Sequence, residues 1–231
     1  MVLSPVFVEA FAYAWELHGS ETRKGGDVPY MAHLTAVSSL VLQHGGDETQ
    51  AVAALLHDSA EDHGGEARLR DLDARFGAAV SEIVRQCSDS LATDREHKPP
   101  WWPRKVGYVH RLANLPVDSQ SLLVAAADKF DNARSLLTDY RLVGEDLWSR
   151  FNRTSGRAGQ LWYYGRLAEL VGERLSPEPR ARALVDDLAR TVTELRDSIV
   201  SSGATDLDTL ERELELARAR ERELVATTQA G

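Results

Sequence analysis

Apolar positions recur along this chain at intervals of three and four, the spacing of one face of an α-helix. Val6, Phe7, Ala10, Phe11 and Ala14 predict a helix over 6–17 that stops at His18-Gly19. A polar loop with two glycines covers 21–27. Pro29 suits the first turn of a second helix over 30–43, with Met31, Leu34, Val37, Leu40 and Val41 inward. Gly45-Gly46 ends it, and Asp47 is placed to cap a third helix that runs to Gly64-Gly65. Short helices follow over 66–76, with Leu69, Leu72 and Phe76 inward, and over 78–87. Residues 88–103 hold three prolines and two tryptophans and read as a loop. Further helices are predicted over 105–112, 119–139 and 161–175, the middle one strongly apolar in its first half. The segment 141–162 is mixed, anchored by Trp148 and Phe151 and carrying a polar patch at 152–160.

Pro177 and Pro179 open another helix, to about Val200, in which Leu184, Leu188, Val192, Leu195 and Ile199 recur at spacings of four and three. Beyond Ser201-Ser202-Gly203, the residues Leu207, Leu210, Leu214, Ala217 and Leu224 form a heptad-like seam through a highly charged segment. That seam is a packing helix or a short coiled coil, too short to associate independently. There is no internal repeat and no strand pattern, so the fold class is all-α. The expected organisation is one domain over 1–175 and a C-terminal helical extension over 176–231. The extension would pack on the domain or on a partner subunit, where it would support a homo-oligomer.

A length of 231 residues fits one large domain or a domain with an appendage. No apolar run approaches the eighteen residues of a membrane span, and no basic-then-apolar leader opens the chain, so neither a membrane nor a secretory signal is expected. The single Cys87 excludes an intrachain disulfide, agrees with a cytoplasmic, reducing location and reads as a core filler. The net charge of −9 argues against a nucleic-acid partner, which needs a basic surface. It leaves room for a small anionic ligand, which needs only local positive charge.

The chemistry concentrates in Leu55-Leu56-His57-Asp58-Ser59-Ala60-Glu61-Asp62. At about 100° per residue, His57, Asp58, Glu61 and Asp62 fall within an arc of roughly 140°, opposite Val52, Leu55, Leu56 and Ser59. Three carboxylates on one helix face repel one another unless a cation stands before them. One helix cannot complete a metal site. His33, early in the second helix, and Asp128, straight after the apolar run 122–127, are candidates to finish it. Either alone is equally consistent with a core or core-edge residue. Two His and two Asp suit Mn²⁺, Fe²⁺ or Zn²⁺.

The ordered set His33, His57-Asp58 and Asp128 resembles the H…HD…D signature of HD-domain metal-dependent phosphohydrolases. Three longer stretches resemble the alarmone hydrolase domains of RelA/SpoT homologues. They are Arg23-Lys24-Gly25-Gly26 with Pro29-Tyr30-Met31-Ala32-His33, then Leu55–Asp62, then Ala127-Asp128-Lys129-Phe130-Asp131-Asn132-Ala133-Arg134. The likeness covers about residues 5–170. Lys129 stands where Arg is common and Asp131 where His is common. By length the chain is most like the small stand-alone hydrolases.

The resemblance implies an HD-domain helical bundle, with additional C-terminal helices here, that removes the 3′-pyrophosphate of guanosine tetra- or pentaphosphate with Mn²⁺. His33, His57, Asp58 and Asp128 would hold the metal, and Glu61 and Asp62 would handle the water. Arg23 and Lys24 would meet phosphate, Arg23 also stacking on the base, and Asn132 would hold a ribose or phosphate oxygen. Ser88 and Asp89 end a helix near where the family's substrate sits, or cap that helix. Trp101-Trp102 and Tyr163-Tyr164 are a base platform or lid, or core anchors. Lys98, Arg104, Lys105, Arg150 and Arg153 are further polyphosphate candidates. His18, His44, His63, His97 and His110 read as surface or structural. Two alternatives stand beside the alarmone reading: an HD phosphohydrolase acting on a nucleoside monophosphate or the 2′-phosphate of NADPH, and a non-catalytic nucleotide sensor.

Overall fold

A computed structural model describes residues 2–93, 97–151 and 154–229. The regular structure among the described residues is helical, with a single isolated β-bridge between Thr22 and Pro29. The helices are α1 (Pro5–His18), α2 (Tyr30–Gln43), α3 (Glu48–Leu56), α4 (Ser59–Asp62), α5 (Gly65–Phe76), α6 (Ala78–Cys87), α7 (Trp101–Ala113), α8 (Ser121–Val143), α9 (Gly156–Leu175), α10 (Pro179–Ser201) and α11 (Leu207–Gln229). A 3₁₀ turn, Gly144–Arg150, follows α8. No helix among the described residues is long and apolar enough to cross a membrane.

The third helix lies at the centre. Asp47 and Gln50 close a reciprocal capping box at its N-terminus, satisfying two backbone donors that an uncapped helix would leave open. Every residue from Gln50 to Leu56 is buried, against α1, α2, α6 and α8. The continuous helix expected over 47–64 is broken between Leu56 and Ser59. The cause is local. His57 Nδ1 takes the Ala54 carbonyl at 2.8 Å, and Ser59 Oγ takes the Leu56 carbonyl. Side chains that occupy these carbonyls compete with the i→i−4 ladder and re-aim the chain.

The eighth helix serves two cores. Leu122–Ala127 join the main core, whereas Leu136, Leu137 and Tyr140 belong to a second cluster with Leu147, Leu161, Leu195, Ile199, Leu210 and Leu214. The polar stretch from Asp128 to Asn132 occupies the junction between them. Cys87 is buried in the main core, where burial pushes its thiol well above the ordinary value, as befits a filler.

Other boundaries move outward from their predicted places. The seventh helix starts at Trp101, not Lys105, because Pro103 is tolerated in a first turn and both tryptophans are drawn into the core. The eighth runs on to Val143, and the ninth starts at Gly156, inside the segment read as mixed.

The C-terminal helices share these cores. Leu184, Val185 and Leu188 of α10 enter the main cluster, and Leu210 and Leu214 of α11 enter the second. Of the predicted seam, Leu210, Leu214 and Ala217 are buried, Leu224 packs at the edge, and Leu207 is exposed. A bidentate Arg157–Glu213 pair and a bond from Trp162 Nε1 to Glu221, 2.8 Å each, fasten α11 to α9. Because Leu210 is fully buried, Leu210→Ala is expected to cost about 3 kcal/mol. Denaturant melts of the two proteins check this. An unchanged midpoint would mean that α11 does not cover the bundle in solution.

Candidate functional site

The residues proposed from the sequence meet where α2, the α3–α4 junction and α8 converge. His33 lies in the first turn of α2, His57 and Asp58 at the break after α3, and Asp128 at the junction of the two halves of α8. His33 Nε2 is 3.6 Å from Asp58 Oδ2 and 3.4 Å from Asp128 Oδ1. His57 Nε2 is 3.1 Å and 3.6 Å from the same two oxygens. Donor atoms bound at about 2.0–2.2 Å to one ion lie roughly 3.0–3.5 Å apart. His33, His57 and Asp58 therefore have the dimensions of a cation site, their donor atoms lying within 4.8 Å of one another, and Asp128 Oδ1 approaches both imidazoles from beside them. His57 Nε2 is also buried without a hydrogen-bond partner, as expected of an atom that faces an ion.

Both imidazoles are held in the tautomer that a ligand needs. His57 Nδ1–H donates to the Ala54 carbonyl, and His33 Nδ1–H donates to Asp131 Oδ2 at 2.7 Å, leaving each Nε2 to face the carboxylates. Tyr30 Oη donates to Asp58 Oδ2 at 2.6 Å. Lys129 Nζ and Asn132 Nδ2 donate to Asp128. Burial opposes charge on His33, but Asp128, Asp131 and Asp58 raise its pKa to about 9. His57 is raised in the same way by Asp58 and Asp128. Burial would raise Asp128, yet Lys129 and His57 hold it well below the usual carboxylate range. A cation would replace the protons that these imidazoles otherwise retain.

Glu61 and Asp62 diverge. Glu61 turns inward, accepting from Lys98 Nζ at 2.7 Å and from the Asp89 amide at 3.1 Å. Asp62, at the end of α4, is exposed as a residue, but its carboxyl is crowded by protein on the side of Asp58 and Glu61. Burial and the Asp89 charge raise the Glu61 pKa. Desolvation, with Asp58 and Glu61 adding repulsion, brings Asp62 to about 7. The pull is upward for both.

A cleft opens beside His33, lined by Arg23, Lys24, Tyr30, Asn132, Ser135, Leu136, Asp139, Phe151 and Tyr164. Arg23 forks onto Asp131 and Asn132 at 2.8 Å each, so its guanidinium is already oriented. Lys24 Nζ stands 5.5 Å from the Phe151 ring centroid. Both polar atoms of Asn132 are engaged with protein, between Arg23 and Asp128.

A basic arc lies on the Glu61 side. Arg104 donates to Asp89, Lys105 reaches the same carboxylate at 2.6 Å, and Lys98 holds Glu61. Asp89 is thus the counter-ion of this arc, and Ser88 closes α6 with its hydroxyl on the Val84 carbonyl. Arg150 lies at the cleft instead, paired at 3.1 Å with Asp139 of its wall and next to Gly25 in the loop of Arg23 and Lys24, and Arg153 falls outside the described residues. Trp101, Trp102 and Tyr163 are core anchors, with Trp102 Nε1 on the Thr154 carbonyl, whereas Tyr164 reaches the cleft. Sequence reasoning missed Tyr30 and Asp131 as partners of the cluster. The Pro-Tyr pair before His33 was the available signal for the first, and a carboxylate in place of an imidazole for the second.

Residues 10–156 match the HD domain family, and the chain belongs to it. Within that family its curated relatives are RelA/SpoT homologues. The "GTP pyrophosphokinase rsh" of Brucella suis biovar 1 (strain 1330) is 29% identical over 192 residues, 81% of this chain and 25% of that protein. A "Probable guanosine-3′,5′-bis(diphosphate) 3′-pyrophosphohydrolase" of Synechocystis sp. (strain ATCC 27184 / PCC 6803 / Kazusa) is 30% identical over 177 residues, 73% and 22% of the two chains. The chain spans about a quarter of the length of these relatives. A solved structure of a metazoan ortholog of SpoT, a protein that hydrolyses ppGpp, superposes with a TM-score of 0.62 at 23% identity, over 82% of this chain and 97% of that one. A Listeria monocytogenes EGD-e structure superposes with a TM-score of 0.56 at 26% identity, over 74% and 99%. The all-α fold is shared with both.

Burial holds Asp89 against ionisation, but Lys105 and Arg104 outweigh it and keep the carboxyl far below its ordinary value. Its stabilisation is therefore complete above the unfolded value near ~4 and fades as pH falls below it. Asp89→Asn is expected to cost about 3 kcal/mol at pH 7. Thermal melts of the two proteins should separate at pH 7 and converge on acidification below about pH 4. Equal melting at pH 7 would contradict the pairing.

Proposed function

We propose that this protein is a metal-dependent phosphohydrolase that removes the 3′-pyrophosphate of (p)ppGpp or a related alarmone, leaving the nucleotide 5′-phosphate and pyrophosphate. The observation that carries the reading is the convergence of His33, His57, Asp58 and Asp128 beside a cleft that presents Arg23 and Lys24. The four residues would hold one divalent ion; their nitrogen and carboxylate donors suit Mn²⁺, Fe²⁺ or Zn²⁺, and the resemblance to the alarmone hydrolases favours Mn²⁺. A bound divalent ion supplies charge that acidifies water and polarises a phosphoryl oxygen.

The remaining steps fall to the side chains. Glu61 takes the proton of the attacking water, its carboxylate oriented by Lys98 and the Asp89 amide. Asp62, exposed one residue on, returns a proton to the leaving oxygen. Lys24 meets phosphate charge at the cleft, and Arg23, locked by Asp131 and Asn132, offers its face to a base. Tyr164 and Phe151 line the same cleft and supply aromatic surface. Lys98, Arg104 and Lys105 neutralise pyrophosphate on the Glu61 side. Asn132 positions Asp128 and Arg23, and touches substrate only where these bonds allow.

The test is turnover of a panel of ppGpp, ppApp, GTP, AMP and NADPH with Mn²⁺, with products resolved by ion exchange. Pyrophosphate and GDP from ppGpp are expected. Orthophosphate from AMP or NADPH alone would assign the same centre to a different nucleotide. Tight ppGpp binding without turnover would make the protein a sensor. His57→Ala is expected to lose the ion of this centre and activity together. Glu61→Gln should keep the metal and lower kcat by about 100-fold. Loss of metal from Glu61→Gln would overturn the division between ion-holding and water-handling residues. Lys24→Ala should raise KM about tenfold with kcat little changed.

A further inference from the structure

One other group of side chains on the described residues gathers three metal-capable donors. It comprises His18 at the end of α1, Glu21 in the loop to α2, and His63 just after α4. A donor atom of each lies within 4.8 Å of the others. His18 Nδ1 is 2.7 Å from Glu21 Oε2, and His63 Nε2 is 3.1 Å from Glu21 Oε1. The two imidazole rings meet edge to face at 4.6 Å.

A hydrogen-bonded trio would satisfy these nitrogens, and this one does not. His63 Nε2 is buried and close to a carboxylate, yet makes no hydrogen bond to it. His18 is 1% exposed, and its Nε2 has no partner among the described residues. A neutral imidazole carries one donor and one acceptor nitrogen, so either tautomer of His18 leaves a buried nitrogen unsatisfied. The same pattern, a buried imidazole nitrogen 3.1 Å from a carboxylate oxygen without a hydrogen bond, marks His57 and Asp58 in the cluster already described. Burial outweighs Glu21 and Asp58 and holds His18 below its ordinary pKa, which favours the neutral, ligating form.

We propose that His18, Glu21 and His63 form a second divalent-cation site, separate from the His33–His57–Asp58–Asp128 centre. Two imidazoles and one carboxylate suit Zn²⁺, with solvent completing the coordination. Glu21 and His63 are only partly buried, which provides the entry path.

The site would act as a brace. It joins three pieces of chain: the end of α1, the base of the loop that carries Arg23 and Lys24, and the turn beyond Glu61 and Asp62. It also touches the first centre through Tyr30. His18 stacks on the Tyr30 ring at 5.1 Å and 24°, and the Tyr30 hydroxyl holds Asp58. The Tyr30 amide donates to the Glu21 carbonyl at 2.9 Å. An ion bound to Glu21 and His18 would therefore fix Tyr30 from two directions.

The test is a metal count on the full chain, independent of any nucleotide activity. The stripped protein is dialysed against buffered Zn²⁺ and analysed for bound metal and by thermal melting. Wild type is expected to hold two equivalents, and His57→Ala and His63→Ala one each. In the His57→Ala background, Zn²⁺ should still raise Tm, and adding Glu21→Gln, which keeps size and fold, should abolish that rise. An undiminished count in both folded His63→Ala and Glu21→Gln, or a Zn²⁺-dependent rise in the His57→Ala background that survives Glu21→Gln, would overturn the proposal.

Discussion

Two carboxylates, Asp58 and Asp128, are carried inside the bundle to lie 3.1–3.6 Å from two imidazole nitrogens, and much of the helix arrangement follows from neutralising them. An unpaired buried carboxylate costs several kcal/mol, so each needs fixed partners. Asp128 has Lys129, and Asp58 has the Tyr30 hydroxyl. The carboxylates in turn raise both imidazoles, so that either protons or a cation balances the charge. This requirement explains why α3 is buried on all sides: it delivers His57 to the middle of the molecule. It also explains why α8 interrupts its apolar run with Asp128, and resumes it only at Leu136 to build a second core.

The helical class and the four converging residues were legible because they depend on periodicity and on local motif order. The break at His57-Asp58 was not. The dihedrals there stay near the helical region, and a 3.6-residue pattern does not register a side chain taking a backbone carbonyl. Contacts that cross the chain were equally hidden: Tyr30 to Asp58 spans 28 positions, Glu61 to Lys98 spans 37, and His33 to Asp131 spans 98. Trp101 and Trp102 looked like loop residues because three prolines surround them. Two of those prolines precede the helix and the third falls within its first turn, so the prolines frame a helix start rather than forbid one.

Asp131 shows what the departure from the family pattern does. As a carboxylate it accepts from His33 Nδ1 and from Arg23 at once, through the same Oδ2, while Oδ1 accepts from Arg134. A neutral imidazole has one acceptor nitrogen and could not take all three bonds. The substitution therefore couples the loop that carries Arg23 to a proposed metal residue through one side chain. Asn132 repeats the linkage one position on, with Arg23 on its oxygen and Asp128 on its nitrogen. The cleft and the cluster thus form one hydrogen-bonded unit, and a shift of the loop would be felt at His33.

The electrostatics separate two scales. The chain carries a net charge of −9, which repels long polyanions at distances comparable to the Debye length. Near the cluster the two signs are interleaved: Lys98 sits on Glu61, Arg104 and Lys105 on Asp89, Lys129 on Asp128 and Arg23 on Asp131, with Lys24 in the same cleft as Arg23. Lys105 and Lys129 also stand 4.7 Å and 5.9 Å from the Tyr163 ring, which lets the core hold their charge without a further carboxylate. A compact polyphosphate placed within a few ångströms of Arg104, Lys105 and Lys129 would meet interactions that salt screens weakly, because these three are largely shielded from solvent. An extended nucleic acid would have to lay most of its length on the acidic exterior. The proposed nucleotide, small and densely charged, would reach these buried cations, whereas a polymer of the same chemistry would not.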